Sequence, residues 1–254
     1  MIFTNLTQVN LNTQFLGRHI QYYPFTNSTN DDIWELIDNN EAKNGTIVIT
    51  DDQRKGKGRR NNQWLSQPGK NLTFSFLLNP QINTEKLGLI SLMVGIGICK
   101  GIQQFNNLNC KLKWPNDILL NNKKIGGILI ESKEINGNIY LGIGIGINVN
   151  SDISQFPIDI QKSSISLIMK TRQALQREPL LAFILNNIES EYLYQFEDII
   201  ENWLQYCNHK NTEVKFHYGE KKIKGNFIGI NELGYAQLKI DGKIETFSGG
   251  ELIL

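Results

Sequence analysis

The chain has 254 residues, 40% of them hydrophobic and 20% charged, with a formal net charge of +1. That is ample core material for one large domain, or a large and a small one, and the near-neutral balance argues against nucleic-acid binding through a broad basic surface. Three scattered cysteines, Cys99, Cys110 and Cys207, form no C-x-x-C pair, which argues against a disulfide framework or a structural zinc site. The expectation is therefore no bound metal. The start, MIFTNLTQVN, has no basic segment followed by an apolar one, so no signal peptide is expected. The longest apolar run, 87–98, is short of the roughly 20 residues of a membrane span. A cytoplasmic protein with no membrane partner is expected.

In chain order, residues 14–25 predict a strand, and Ser28-Thr29-Asn30-Asp31-Asp32 offers N-caps for a helix over about 31–39. GTIVIT (45–50) predicts a strand running into RKGKGRRNNQW (54–64), and 71–78 predicts the next strand. Thr84 should cap a long helix to about Phe105, apolar at Leu87, Ile90, Val94, Ile98 and Ile102. KLKW (111–114), a Pro115-Asn116-Asp117 turn, a 118–120/125–132 hairpin around Asn121-Asn122, and an Asn136-Gly137 turn into 138–149 follow. Helices return over 179–206. The last residues read as four short strands separated by turns, a small all-β unit of the SH3-like kind. The predicted division is 1–207 and 208–254.

Four constellations carry chemistry. In the cationic loop, Gly56 and Gly58 permit close backbone approach to a ligand, and Lys57, Arg59, Arg60 and Trp64 suit a phosphate chain. A solvated charged face and single-stranded RNA are the competing readings; no Walker pattern is present. In LGIGIGINVN (141–150), alternation places Gly142, Gly144, Gly146 and Asn148 on one face and Ile143, Ile145, Ile147 and Val149 on the other. The bare face either packs tightly on a helix or floors a flat ligand site. Lys124 beside Gly126-Gly127 is either a hairpin lysine or an anion contact, Asp117 a turn cap or a site acid, and Lys113 a snorkelling strand lysine. Ser28-Thr29-Asn30 caps a helix and could also serve a polar ligand head.

Taken together, STN (28–30), Q-x-x-G-K-G-R-R (53–60) with Trp64, KWPND (113–117), KKIGG (123–127) and GIGINVN (144–150) resemble the biotin protein ligases, from about Tyr22 to the C-terminus. The resemblance implies an α+β fold: a mixed central sheet with flanking helices, of the class II aminoacyl-tRNA synthetase/biotin synthetase type, plus the SH3-like barrel. It implies ATP-dependent activation of biotin to biotinyl-AMP with Mg²⁺, then transfer to a lysine of a biotin carboxyl carrier protein. The implied biotin contacts are Ser28, Thr29, Asn30, Gln53, Gly56, Lys57, Trp64, Lys124, Gly127, Leu129, Gly144 and Ile147. The implied ATP contacts are Lys57, Arg59, Arg60, Lys124 and Asn148. Lys124 and Arg59 would stabilise charge, and Asp117 would orient the incoming amine.

The usual family loop reads G-R-G-R-R-G-R; here Lys57 stands for an arginine and Asn61 for a glycine. After the GIN motif only Phe156 is available where some members stack a tryptophan on adenine. About 20 residues precede the first catalytic strand, so no helix-turn-helix and no DNA partner are expected; a homodimer is compatible with the resemblance. The competing functions are a lipoate or octanoate protein ligase of the same fold, and a non-catalytic ligand- or RNA-binding module.

Overall fold

A computed structural model describes residues 1–194 and 196–253. The strands of its main sheet are β1 (Ile20–Thr26), β2 (Ile47–Gln53), β5 (Leu72–Leu78), β6 (Lys111–Lys113), β7 (Asp117–Leu120), β8 (Lys123–Ile135) and β9 (Asn138–Ile147), while β3 (Gly56–Lys57) and β4 (Gln63–Trp64) form a separate ribbon. The main order is β1-β2-β5-β9-β8-β7-β6. Only β1 and β2 pair in parallel, so the sheet is mixed as expected. The helices are α1 (Thr4–Val9), α2 (Thr29–Asp38), α3 (Gly88–Asn106), α4 (Ile158–Ser163), α5 (Ile168–Thr171), α6 (Arg177–Tyr194) and α7 (Ile199–Tyr206).

The main core lies where α3, α6 and α7 meet one sheet face, which receives Phe74, Phe76, Ile143, Ile145 and Ile147. α2 covers the other face with Ile33 and Leu36 against Val48 and Leu77. Gly97 and Gly101 of α3 let α6 approach closely: a Cβ at either would sit 2.6–2.7 Å from Ile188 or Ile184. α3 is long and apolar enough to cross a membrane, but 67% of that stretch is buried inside the fold. Arg177, buried at the start of α6, ties it to the sheet by donating to Asp51 (2.7 Å) and to the Asn71 carbonyl (3.0 Å).

Residues 212–253 form a second, five-stranded antiparallel sheet: β10 (Thr212–Tyr218), β11 (Lys221–Ile230), β12 (Ala236–Ile240), β13 (Lys243–Phe247) and β14 (Glu251–Ile253), in the order β13-β12-β11-β10-β14. The sequence reading missed β14, which is only three residues long. The two sheets join through Trp114, whose indole N–H donates to the Gly234 carbonyl (3.0 Å) and whose ring tilts against Phe216.

Other expectations need correction. The strand predicted over 14–25 begins only at Ile20, because Gly17 turns left-handed (φ 77°) against Leu11, Ile47 and Leu185. Thr84 does not cap α3. It opens a short 3₁₀ turn capped by Asn83, and α3 begins at Gly88. α4 and α5 lie in a stretch to which the sequence reading assigned no element.

Candidate active site

The site is built on the glycine face of β9. Register sets Thr73 of β5 and Gly127 of β8 on either side of Gly146, and Ser75 and Leu129 on either side of Gly144. The sequence posed close helix packing against a ligand floor; the helix packing is seen at Gly142 and Gly144, and a cavity is lined by Gly144 and Gly146. A Cβ on Gly142 would meet Trp34 of α2 at 2.9 Å, and one on Gly144 would meet Asn30 Oδ1 at 2.6 Å. Gly146 is overlain by the Trp64 indole of the cationic loop. Asn30 and Trp34 are one helical turn apart, so α2 closes the floor at two successive glycines.

Over this floor lies a cavity of about 170 Å³. Its walls bring together Ser28, Thr29, Asn30, Gln53, Lys57, Arg59, Arg60, Trp64, Asp117, Lys124, Gly127, Leu129 and Gly144 from the predicted set. At one end, Ser28 caps α2 by accepting from the Asp31 N–H (3.4 Å). The Thr29 N–H and hydroxyl donate to Gln53 Oε1 (2.9 and 3.2 Å), the Thr29 and Ser75 hydroxyls lie 2.7 Å apart, and Ser75 donates to Asn30 Oδ1 (2.6 Å). Asn30 Nδ2 in turn donates to Glu131 (2.9 Å). This is a rigid, buried polar wall.

At the other end, Asp117 sits between two lysines. Lys124 Nζ is 2.6 Å from Oδ1 and Lys113 Nζ 2.9 Å from Oδ2. Burial pushes the Asp117 carboxyl up, but Lys124 and Lys113 together outweigh it and hold it below the usual carboxylate range. The Lys124 side chain lies over Gly127, where a Cβ would come within 3.4 Å of Nζ. Arg59 reaches Asn116 Oδ1 (3.4 Å), which is anchored by donating to the Ile128 carbonyl (2.7 Å). Burial and the neighbouring Arg60 pull the Arg59 guanidinium down.

The loop between β3 and β4 is ordered by the ribbon and by a 3₁₀ turn over Arg59–Asn61, with Arg60 left-handed (φ 54°). Its outer cations are engaged elsewhere. Lys57 pairs with Asp31 of α2 (2.5 Å), which raises its pKa, and Arg60 reaches Glu251 and the His217 carbonyl (both 3.5 Å) across to the second sheet.

Three predicted positions lie apart from the cavity. The Ile147 side chain is fully buried on the core face, because strand alternation turns it opposite to Gly146. Gly56 lines a separate surface recess on the outer side of the loop, and its tight fit is to the Trp64 carbonyl. Asn148 is buried in a structural network, accepting from Asn71 (2.9 Å) and donating to the Ile165 carbonyl (3.3 Å).

Sequence reading missed Thr73, Asn116 and Glu251, all of which line the cavity. Thr73 Oγ1 and Trp64 Nε1 are buried with no hydrogen-bond partner among the described residues, and such groups call for a partner. The signal for Thr73 was its alternation with Asn71 and Ser75; for Glu251, on the second sheet, no local signal existed. Among the described residues no cluster of three or more His, Cys, Asp or Glu side chains could hold a metal ion.

Comparison with known proteins adds an independent line. Residues 22–150 match the model of the Biotin/lipoate A/B protein ligase family, and 209–254 match that of the Biotin protein ligase C terminal domain. The Bifunctional ligase/repressor BirA of Bacillus subtilis is 30% identical over 249 residues, covering 96% of this chain and 76% of that protein. The protein of the same name from Escherichia coli is 31% identical, covering 95% and 75%. The structure of a biotin protein ligase from Aquifex aeolicus in complex with biotin and ATP superposes with a TM-score of 0.79 at 28% identity, covering 93% of this chain and 98% of that one. With the glycine floor, the polar wall and the clustered cations all on one sheet face, the chain belongs to the biotin/lipoate A/B protein ligase family.

Proposed function

We propose that this protein is a biotin protein ligase: it activates biotin with ATP to biotinyl-5′-AMP and transfers biotin to a lysine of a biotin carboxyl carrier protein. The observation that carries this reading is the cavity's polarity. A buried hydrogen-bonding wall stands at one end (Thr29, Gln53, Asn30, Ser75) and two cations, Lys124 and Arg59, at the other. A cyclic urea with two N–H donors and a carbonyl matches the first, and a carboxylate beside a triphosphate matches the second.

In the first step a carboxylate oxygen attacks the α-phosphorus of ATP. The new P–O bond forms as the bond to pyrophosphate breaks, and pyrophosphate leaves with the electron pair. Lys124 and Arg59 stabilise the negative charge that gathers in the transition state. Magnesium would enter with the nucleotide and would supply charge neutralisation at its phosphates. In the second step the carrier's lysine amine attacks the acyl carbon and AMP leaves. Asp117 lies beside the reacting centre to orient that amine. Ser28, Thr29, Asn30, Gln53, Trp64, Leu129 and Gly144 hold biotin. Residues 1–207 act as the catalytic domain and 208–254 as the SH3-like unit that supports it.

Incubation with MgATP and biotin, lipoate or octanoate in parallel, read by mass spectrometry, tests this reading. A biotin adenylate with pyrophosphate is expected. An adenylate with lipoate or octanoate alone would make the protein a lipoyl-type ligase.

A further inference from the structure

In the ligand-free protein the Lys124 ammonium is already committed, 2.6 Å from Asp117 Oδ1. To stabilise a substrate carboxylate it must give up or share that contact. The Asp117 side chain is only 14% exposed, and an anion left unpaired at such a site is costly. A second cation prevents that. Lys113 holds the other carboxylate oxygen at 2.9 Å, so one lysine can depart without stripping both oxygens.

The two lysines are not equivalent. Lys113 faces Asp117 directly across the β6–β7 pair, and its side chain is 22% exposed. Lys124 is 37% exposed, on the neighbouring strand, and leans over the glycine floor at Gly127. Both lysines line the cavity, but Lys113 is held against Asp117 by the β6–β7 register while Lys124 lies over the cavity floor. Arg59 reaches Asn116 and forms no ion pair with Asp117. His209, the other titratable group close to Lys113, is fully buried and uncharged at neutral pH.

We infer that Lys113 is a positioning residue for adenylate formation: it keeps Asp117 paired while Lys124 passes from that carboxylate to the substrate. This rests on the ligase reading above and assigns a role to a residue that the sequence marked only as a strand lysine.

The test uses the full chain and its variants Lys113→Met, Lys113→Arg, Asp117→Asn and the double variant Lys113→Met/Asp117→Asn. Biotin affinity is measured by calorimetry without nucleotide, and adenylate formation by single-turnover kinetics at saturating biotin and MgATP. K113M should bind biotin within about twofold of the wild type and lose at least about tenfold in maximal rate, the size of a lost charged contact. K113R, which keeps the charge, should recover most of that loss. In the Asp117→Asn background the K113M change should have little further effect, because no anion remains to be held. An undiminished K113M, a K113R as slow as K113M, or a full K113M defect persisting without Asp117 would each overturn the inference. A wild-type protein that forms no acyl adenylate would overturn the ligase reading and this inference with it, whereas a competent wild type beside an unaffected K113M overturns this inference alone.

Discussion

Two groups of positive charge face the cavity, and they are built differently. Lys113 and Lys124 stand on the two strands that flank β7, converge on its one largely buried carboxylate, Asp117, and are placed by backbone register. Lys57 and Arg60 project from a loop, and each makes an exposed pair, with Asp31 and with Glu251. Exposed pairs contribute little, typically under about 1 kcal/mol. The strand pair therefore has a fixed geometry suited to chemistry, and the loop pair can exchange partners at small cost, which suits capture and release of a polyanion. Arg59 belongs to neither extreme: it is on the loop but half-buried, and anchored to Asn116.

The comparison breaks most readily at Lys124. Lys124→Ala should reduce adenylate formation by about 10²–10³-fold, the scale of a deleted transition-state donor, with biotin binding by calorimetry changed far less. A rate within a few fold of wild type would move the chemistry off the strands. Arg59→Ala is expected to raise the KM for ATP by about tenfold, in line with loss of a charged hydrogen bond. Equal weakening of biotin and ATP would deny Arg59 its nucleotide role.

The strand half is also seated on a pH-sensitive foundation. His209 packs against Trp203 and Phe227, and burial pushes its ring down to about 3. Between pH 6.5, its ordinary value, and about 3, the unfolded chain takes up a proton that the folded chain refuses. Stability should therefore fall with decreasing pH through that window, by up to about 1.4 kcal/mol per unit. Urea titrations from pH 7 to pH 4 should show a shallower loss for His209→Phe, and an unchanged slope would remove His209 as the cause.

The smallest effect is predicted for the loop. Asp31→Asn should alter the apparent affinity for ATP by less than about fivefold, and the difference should fade in high salt, as expected for an exposed pair. A large, salt-resistant change would show that the loop is as rigidly built as the strands.

Much of the site was legible because its residues lie in short contiguous runs. Asn121-Asn122 and Asn136-Gly137 marked hairpins through their tolerance of positive φ, and all four residues adopt it. Those two turns fix the register that sets Lys124 beside Asp117 and Gly127 beside Gly146. The alternation of 141–150 separated floor from core, and that same rule, applied to Ile147, would have taken its side chain out of the ligand set. What covers a bare strand face is a tertiary matter. Trp34 over Gly142 and Trp64 over Gly146 come from elements distant in the chain. The engagement of Lys57 with Asp31 and of Arg60 with Glu251 was equally silent, since a cation's partner is chosen by three-dimensional proximity.

The most direct measurement of the central claim is biotin-dependent exchange of labelled pyrophosphate into ATP, run on the wild type and on Lys124→Ala alongside calorimetric biotin binding. The account predicts exchange by the wild type that requires biotin, and near-complete loss in the variant while biotin still binds. Exchange that persists in Lys124→Ala, or a wild type that binds biotin but exchanges no pyrophosphate, would contradict it.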